Sequence, residues 1–307
     1  MENYLGEIFA VITSFMWTVS AISFESAGKK IGSIPLNFIR LIFALIFISI
    51  YTYFTRGLFF AIDASIDAWL WLSLSGIVGF VIGDLLLFRA YIVVGARISM
   101  LIMSLAPPIT AFLGWLILGE TLSIKQFIAM LITIIGIVVV LWKKPKKKDI
   151  GKTATNFFKR KPSIAFWGIL LAFGGACGQA GGLVLSKKGM GDYDAFAATQ
   201  IRIIAGIVGF SLILTFSKLW RKTIKGFKNV SAIKWITLGS FAGPFLGVSF
   251  SLIAVKYTET GIAATLSSLA PIIIILPAML IFKEKIKPME IVGSIITVIG
   301  VALFFLY

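Results

Sequence analysis

The feature that most constrains this chain is that it is written twice. Read from Gly6 and again from Gly168, the 307 residues carry the same punctuation. At an offset of 162, Gly6 falls on Gly168, Ala10 on Ala172, Ile39 on Ile201 and Arg40 on Arg202. At an offset of 164, Trp71 matches Trp235, Gly79 and Gly83 match Gly243 and Gly247, and Ser104-Leu105-Ala106-Pro107 matches Ser268-Leu269-Ala270-Pro271. Glu120 then matches Glu284, and Gly136 matches Gly300; two extra residues in one loop explain the shift. Each half holds five membrane-length apolar stretches. A unit with an odd number of crossings enters a bilayer upside down relative to its copy, which gives one gene product two alternately opening faces.

The solvent follows from composition. Hydrophobic residues make up 59% and charged residues 14%, with a mean hydropathy of +1.00. A water-soluble domain cannot hide that much apolar surface, so lipid must surround it. There is no histidine, and Cys177 is the single cysteine. An internal disulfide and the usual zinc and non-haem iron sites are therefore excluded, and no metal or cofactor is expected. No GxxxxGK[ST] phosphate loop is present to couple ATP hydrolysis. The net charge of +16 is confined to short connectors, so it reads as topology signals and lipid-headgroup contacts, not as a nucleic-acid surface. Met1-Glu2-Asn3-Tyr4 lacks the basic start of a secretory signal, so the first stretch reads as an uncleaved span.

A hydrocarbon layer of about 30 Å needs roughly 20 helical residues. The chain divides into predicted spans near 5–26, 35–55, 69–90, 98–118 and 124–142, then 164–186, 195–216, 234–255, 262–282 and 288–307. The expected fold is thus all-α and integral to the membrane, with ten transmembrane helices as two inverted five-helix repeats around a central cavity. Residues 1–142 form the first repeat, 143–162 a basic linker and 163–307 the second. Connectors after the odd-numbered spans hold 21 Lys and Arg and those on the other face five. That bias places the linker in the cytoplasm of a bacterial or archaeal cell and both termini outside its plasma membrane.

Candidate site residues come from polarity and proline at membrane depth. Asp84 lies deep in the third span, where an ionised carboxylate costs about 2.5–3.5 kcal/mol even on the lenient insertion scale. It should be protonated, paired or facing water. Arg89, five residues on, lies roughly 140° around an ideal helix and is a poor partner. The second-half equivalents, Val248 and Ile253, are apolar, so the site belongs to one half only. Asp84 reads either as a ligand for a substrate amine or a coupling proton, or as a structural carboxylate bonded to a neighbouring helix. Pro107 and Pro271 fall near the middle of spans four and nine, where Ser104 and Ser268 could serve the carbonyls that proline orphans. Trp17 and Gln179 occupy equivalent depths and suit a cavity wall offering an aromatic face and an amide. Arg40 and Arg202 open spans two and seven, as headgroup-snorkelling side chains or as gates. Glycines spaced by four, at 79/83, 239/243/247 and 174/178/182, read as close-packing faces. Glu120 and Glu284 read as helix-terminal groups, and Glu25 as an interfacial partner of Lys29.

Several segments resemble the EamA family of the drug/metabolite transporter superfamily. They are Ala21 to Lys30 after Trp17, Gly83-Asp84-Leu85-Leu86-Leu87-Phe88-Arg89-Ala90 and Gly95-Ala96-Arg97. Pro107, Gly119-Glu120-Thr121-Leu122-Ser123 and Gly136 resemble the family's proline, glycine-glutamate and glycine signature, repeated as Pro271, Lys283-Glu284-Lys285-Ile286 and Gly300. Lys283 replaces the usual glycine. The resemblance implies a central cavity formed by the first, third and fourth helices of each half, and transport of small solutes, often export of amino acids or related metabolites. It also implies cytoplasmic termini, against the charge count. The expectation is a secondary transporter by alternating access for a small polar metabolite, an amino acid or related amine, with protons as a coupling partner and lipids around it. A lipid-handling flippase or scramblase and a non-transporting scaffold are the alternatives. An enzyme is not expected, because the buried titratable set is small and lacks histidine. Substrate identity, direction and oligomeric state stay open at this point.

Overall fold

The computed structural model describes residues 4–118, 123–141, 164–257, 266–267, 269–282 and 288–306, and every regular element among them is helical. Seven helical runs are long and apolar enough to cross a membrane, and three shorter apolar helices lie at 127–139, 270–281 and 288–303. The first half holds α1 (Leu5–Ile31), α2 (Ser33–Arg56), α3 (Ile66–Gly76), α4 (Asp84–Val94), α5 (Ala96–Met103), α6 (Ala106–Leu118) and α7 (Ile124–Leu141). The second holds α8 (Ile164–Met190), α9 (Ala195–Phe216), α10 (Trp220–Phe227), α11 (Val230–Ser240), α12 (Val248–Tyr257), α13 (Ala270–Ile273), α14 (Ile275–Phe282) and α15 (Pro288–Leu306). The linker at 143–162, Glu120, Ser268 and Glu284 lie outside the described residues.

Local chemistry sets the breaks. Gly32 separates α1 from α2 and Gly95 separates α4 from α5, each with φ near +90°, which a side chain would resist. Ser65, Asp194 and Asn229 cap α3, α9 and α11 by accepting from the backbone N–H three residues on, at 2.8–3.1 Å. Two π-helical segments, Ile77–Gly83 and Phe241–Gly247, link α3 to α4 and α11 to α12. They are repeat equivalents at the offset of 164, and a wide turn of this kind resets the azimuth of the helix after it. Asp84 and Val248 are the residues so placed.

Glycine faces lock the halves together. Along α8, Gly189 packs on Trp71 and Leu72, Gly182 on Gly79, Gly178 on Gly83 and Gly175 on Leu87. Numbers rise on one helix as they fall on the other, so the two run antiparallel. Ser75 Oγ joins this seam, donating to the Gly182 carbonyl at 2.6 Å and lying 2.7 Å from Ser186 Oγ. Along α1, Phe24 packs on Gly239, Ser20 on Gly243 and Met16 on Gly247. Each of these pairs is the repeat equivalent of one in the α8 seam: 75 with 186 becomes 239 with 24, 79 with 182 becomes 243 with 20, and 83 with 178 becomes 247 with 16. The α7–α15 seam is reciprocal with itself, Gly136 meeting Thr297 and Gly300 meeting Thr133. In lipid such close backbone approach replaces the hydrophobic drive between helices.

The structure departs from three expectations. Pro107 and Pro271 do not kink continuous helices: the chain turns at Ser104–Leu105 and at Leu269, and each proline is the second residue of a new helix, α6 or α13. There the missing N–H costs little. The connector after α9 is not simply a loop. It contains α10, whose exposed Trp220, Ile224 and Phe227 oppose Arg221, Lys222 and Lys225, the pattern of a helix lying in a membrane interface. Arg40 and Arg202 do not snorkel outward to headgroups; both are buried inside the bundle.

Candidate functional site

Arg40 lies two turns into α2, so its side chain starts far from either helix end. It is 2% exposed and turns inward, where its Nη2 pairs with Asp84 Oδ2. Its Nε donates to Asn37 Oδ1 at 3.0 Å, one turn back on the same helix. Asn37 Nδ2 in turn donates to the Ser33 carbonyl at 3.1 Å and reaches the Asp84 carbonyl at 3.4 Å. Three phenylalanines box the guanidinium, with ring centroids 4.5 Å (Phe88), 5.5 Å (Phe24) and 5.7 Å (Phe80) from its central carbon. Desolvated cation–π contacts of this kind are worth up to about 2 kcal/mol each.

Asp84 is the first residue after the π segment and is 4% exposed. Its second oxygen accepts from Gln179 Nε2 of α8 at 2.6 Å, and that amide also reaches the Gly79 carbonyl at 3.4 Å. One carboxylate therefore ties α2, α4 and α8, drawing Gln179 from the second half and Arg40 from the first.

Arg202 approaches from α9 and is 3% exposed. Its guanidinium carbon lies 4.8 Å from the Phe80 centroid, on the ring that Arg40 also faces. The two guanidinium centres are thus no more than about 10.5 Å apart, the sum of their distances to that ring. Arg202 Nε has no hydrogen-bond partner among the described residues. Gly79 leaves space for this side chain, since a Cβ there would sit 3.3 Å from Arg202 Nη2. Among the described residues the site holds two buried cations and one buried anion.

Of the other residues singled out in the sequence, Trp17 is partly buried and packs against both apolar clusters that contain Phe24, Phe88 and Phe80. Ser104 is 3% exposed at the α5–α6 turn, and its hydroxyl has no partner among the described residues. Ser267, beside Pro271, reaches the Ala10 carbonyl at 3.5 Å. Arg89 points to the surface, away from Asp84. Glu25 pairs with Lys29 but is itself 1% exposed, and its Oε2 accepts the Ala96 N–H at 2.5 Å, anchoring α1 to the start of α5. Sequence reasoning missed Asn37 and the three-ring box. A wide groove of about 680 Å³, lined by Phe47, Ile233, Lys234, Leu238 and Phe241 among others, shares no residue with this cluster and offers little polar chemistry.

Outside the spans, the 57–65 connector meets the 191–194 connector. Arg56 Nη2 pairs with Asp63 Oδ2 at 2.6 Å and the Tyr193 hydroxyl donates to Asp63 Oδ1 at 2.8 Å. Slight burial draws the Asp63 carboxyl upward, but Tyr193 and Arg56 outweigh it and hold the group below the usual range. Burial pushes the Tyr193 phenol up.

The fold is that of a multi-pass membrane protein built from two equivalent helical units, with a buried charge cluster at their seam. The profile of the EamA-like transporter family matches residues 4–142 and 166–306, and the chain belongs to that family, within the drug/metabolite transporter superfamily. An "Uncharacterized transporter" of Haemophilus influenzae is 26% identical over 146 residues. That match spans 48% of this chain and 48% of the relative, about half the length of each. A solved crystal structure superposes with a TM-score of 0.62 at 15% identity, covering 98% of this chain and 96% of the other, which speaks to the fold alone.

Proposed function

We propose that the protein is a secondary transporter that moves a small polar metabolite by alternating access, through ten spans arranged as two five-helix repeats of opposite topology. The observation that carries this reading is the exchange of contacts: three residue pairs of the α8 seam have their equivalents in the α1 seam, and the paired helices run antiparallel. Swapping the halves then amounts to a half-turn about an axis lying across the helices, in the plane of the bilayer. The loops agree with ten alternating crossings. Connectors expected on one face touch, Asp63 with Tyr193 and Lys256 with the Asp192 carbonyl, and Lys30 with Ser231 on the other.

The substrate path runs by Asp84, Gln179 and Trp17, with the Asp84–Arg40 pair holding α2, α4 and α8 together in the observed conformation. Export of amino acids or related amines is the class the family resemblance suggests. Lipid flipping would call for a polar groove open to the bilayer, whereas these charged groups are enclosed. The topology is tested by single cysteines in a Cys177→Ala background. In intact cells, Asp192→Cys should react with a membrane-impermeant maleimide and Lys152→Cys should not. Labelling of both from outside would rule out the arrangement.

A further inference from the structure

We infer that the solute carries a carboxylate and that Arg202 is the side chain that holds it. This deepens the carrier reading and rests on it. Arg40 and Arg202 are repeat equivalents, yet only the first has hydrogen-bond partners among the described residues. Arg40 has Asn37 on its own helix and Asp84 across from it. The equivalents of those two residues are Thr199 and Val248. Thr199 spends its hydroxyl on the Ala195 carbonyl at 2.8 Å, and Val248 has nothing to offer.

Asp84 lies near enough for Arg202 to feel its charge but is not bonded to it: one oxygen faces Arg40 and the other accepts from Gln179. Arg202 is left with the face of Phe80 and an Nε–H that donates to no described residue. A guanidinium that is 3% exposed among apolar helices, with a buried Nε–H that has no acceptor among the described residues, is costly to keep. A planar fork of N–H donors matches a carboxylate in two parallel bonds, and the excess of one positive charge is what one carboxylate would cancel. A simple amine would add to that excess. Solutes bearing a carboxylate, amino acids included, therefore fit the site, and amines without one do not.

The test uses the full-length protein in detergent and thermal unfolding at constant ionic strength. The probes are matched pairs: L-alanine and L-alaninamide, lactate and lactamide, L-leucine and L-leucinamide, with sodium chloride and inorganic phosphate as separate arms. At least one carboxylate should raise the melting temperature by about 2 °C or more at saturation, and its amide should not. The shift should vanish in Arg202→Gln and be partly kept in Arg202→Lys. Without any solute, Arg202→Gln should unfold at or above the parent temperature, because it removes an unmatched charge, whereas Arg40→Gln should unfold well below it. Amides or amines that stabilise equally well would overturn the inference, as would a response to chloride or phosphate alone. If no probe binds, the solute-free comparison decides: an Arg202→Gln protein as weak as Arg40→Gln makes Arg202 a structural cation. Flux of amines alone through reconstituted vesicles would sink this inference and leave the carrier; no flux of any solute by folded protein would sink the carrier.

Discussion

Replacing Gly136 and Gly300 by alanine, singly and together, probes the seam between α7 and α15. A Cβ at 136 would lie 2.5 Å from Thr297 Oγ1 and 2.8 Å from the Gly293 carbonyl, where ordinary contact begins at 3.4 Å. A Cβ at 300 would lie 2.5 Å from Thr133 N and 2.6 Å from its Oγ1. The shortfalls are about 0.9–1.0 Å, and backbone stands on each side, with the Thr297 nitrogen the nearest atom at 136. Neither threonine turns away freely, because Thr133 donates to the Ala129 carbonyl at 3.0 Å and Thr297 to the Gly293 carbonyl at 2.8 Å. The helices must therefore part. Overpacking of this size costs about 1–3 kcal/mol, and alanine returns about 1 kcal/mol of helix propensity. Each single variant should lose about 1 kcal/mol net, or roughly 2–4 °C in melting temperature. The double variant should be no worse than either single, since one displacement of α15 clears both contacts and the second alanine then adds only propensity. Thermal unfolding of the four proteins in one detergent measures this as a double-mutant cycle. Stabilised singles, or penalties that simply add, would refute the reciprocal seam.

Two further outcomes are expected. Asp84→Asn strands the Arg40 cation and should cost about 3–5 kcal/mol, most of it recovered when Arg40→Gln is added; a double variant no more stable than Asp84→Asn would show that the pair is not what holds the two helices. Asp63 is held below the usual carboxylate range in the folded protein, so its contribution is present above about pH 4 and fades as pH falls through the lower folded value. The melting-temperature gap between parent and Asp63→Asn should be small, because the pair is at the surface, and should shrink below that pH; a gap unchanged across the acid range would contradict it.

The packing seams were legible in the sequence because repetition is a one-dimensional signal. Gly79, Gly83 and Gly243 announce close approach by their spacing, and they do pack backbone to backbone or against a short side chain, while Gly247 meets Met16 at ordinary contact distance. The partner of Asp84 was not legible. Arg89 lay nearby in sequence but points outward, while Arg40, 44 residues away on another helix, supplies the charge. A usable signal did exist: Arg40 and Arg202 coincide at the repeat offset inside apolar stretches, which random snorkelling positions need not do. The π turns that aim Asp84 left only their glycines as a trace. For α10, the alternation of Trp220, Ile224 and Phe227 with basic residues was readable, but those basic residues were counted only as the charge of a connector.

The seams differ in how they answer an exchange of the two halves. Pairs between α1 and the run of α11 with its π segment trade places with pairs between α8 and the run of α3 with its π segment, so under the proposed mechanism these are the contacts expected to alternate between a tight and a loose form. The Gly136–Gly300 crossing returns onto itself under that exchange. Under the alternating access proposed above it is the expected fulcrum: the pair of helices that stays still while the others rock, and the place where a rigid tether would leave turnover untouched.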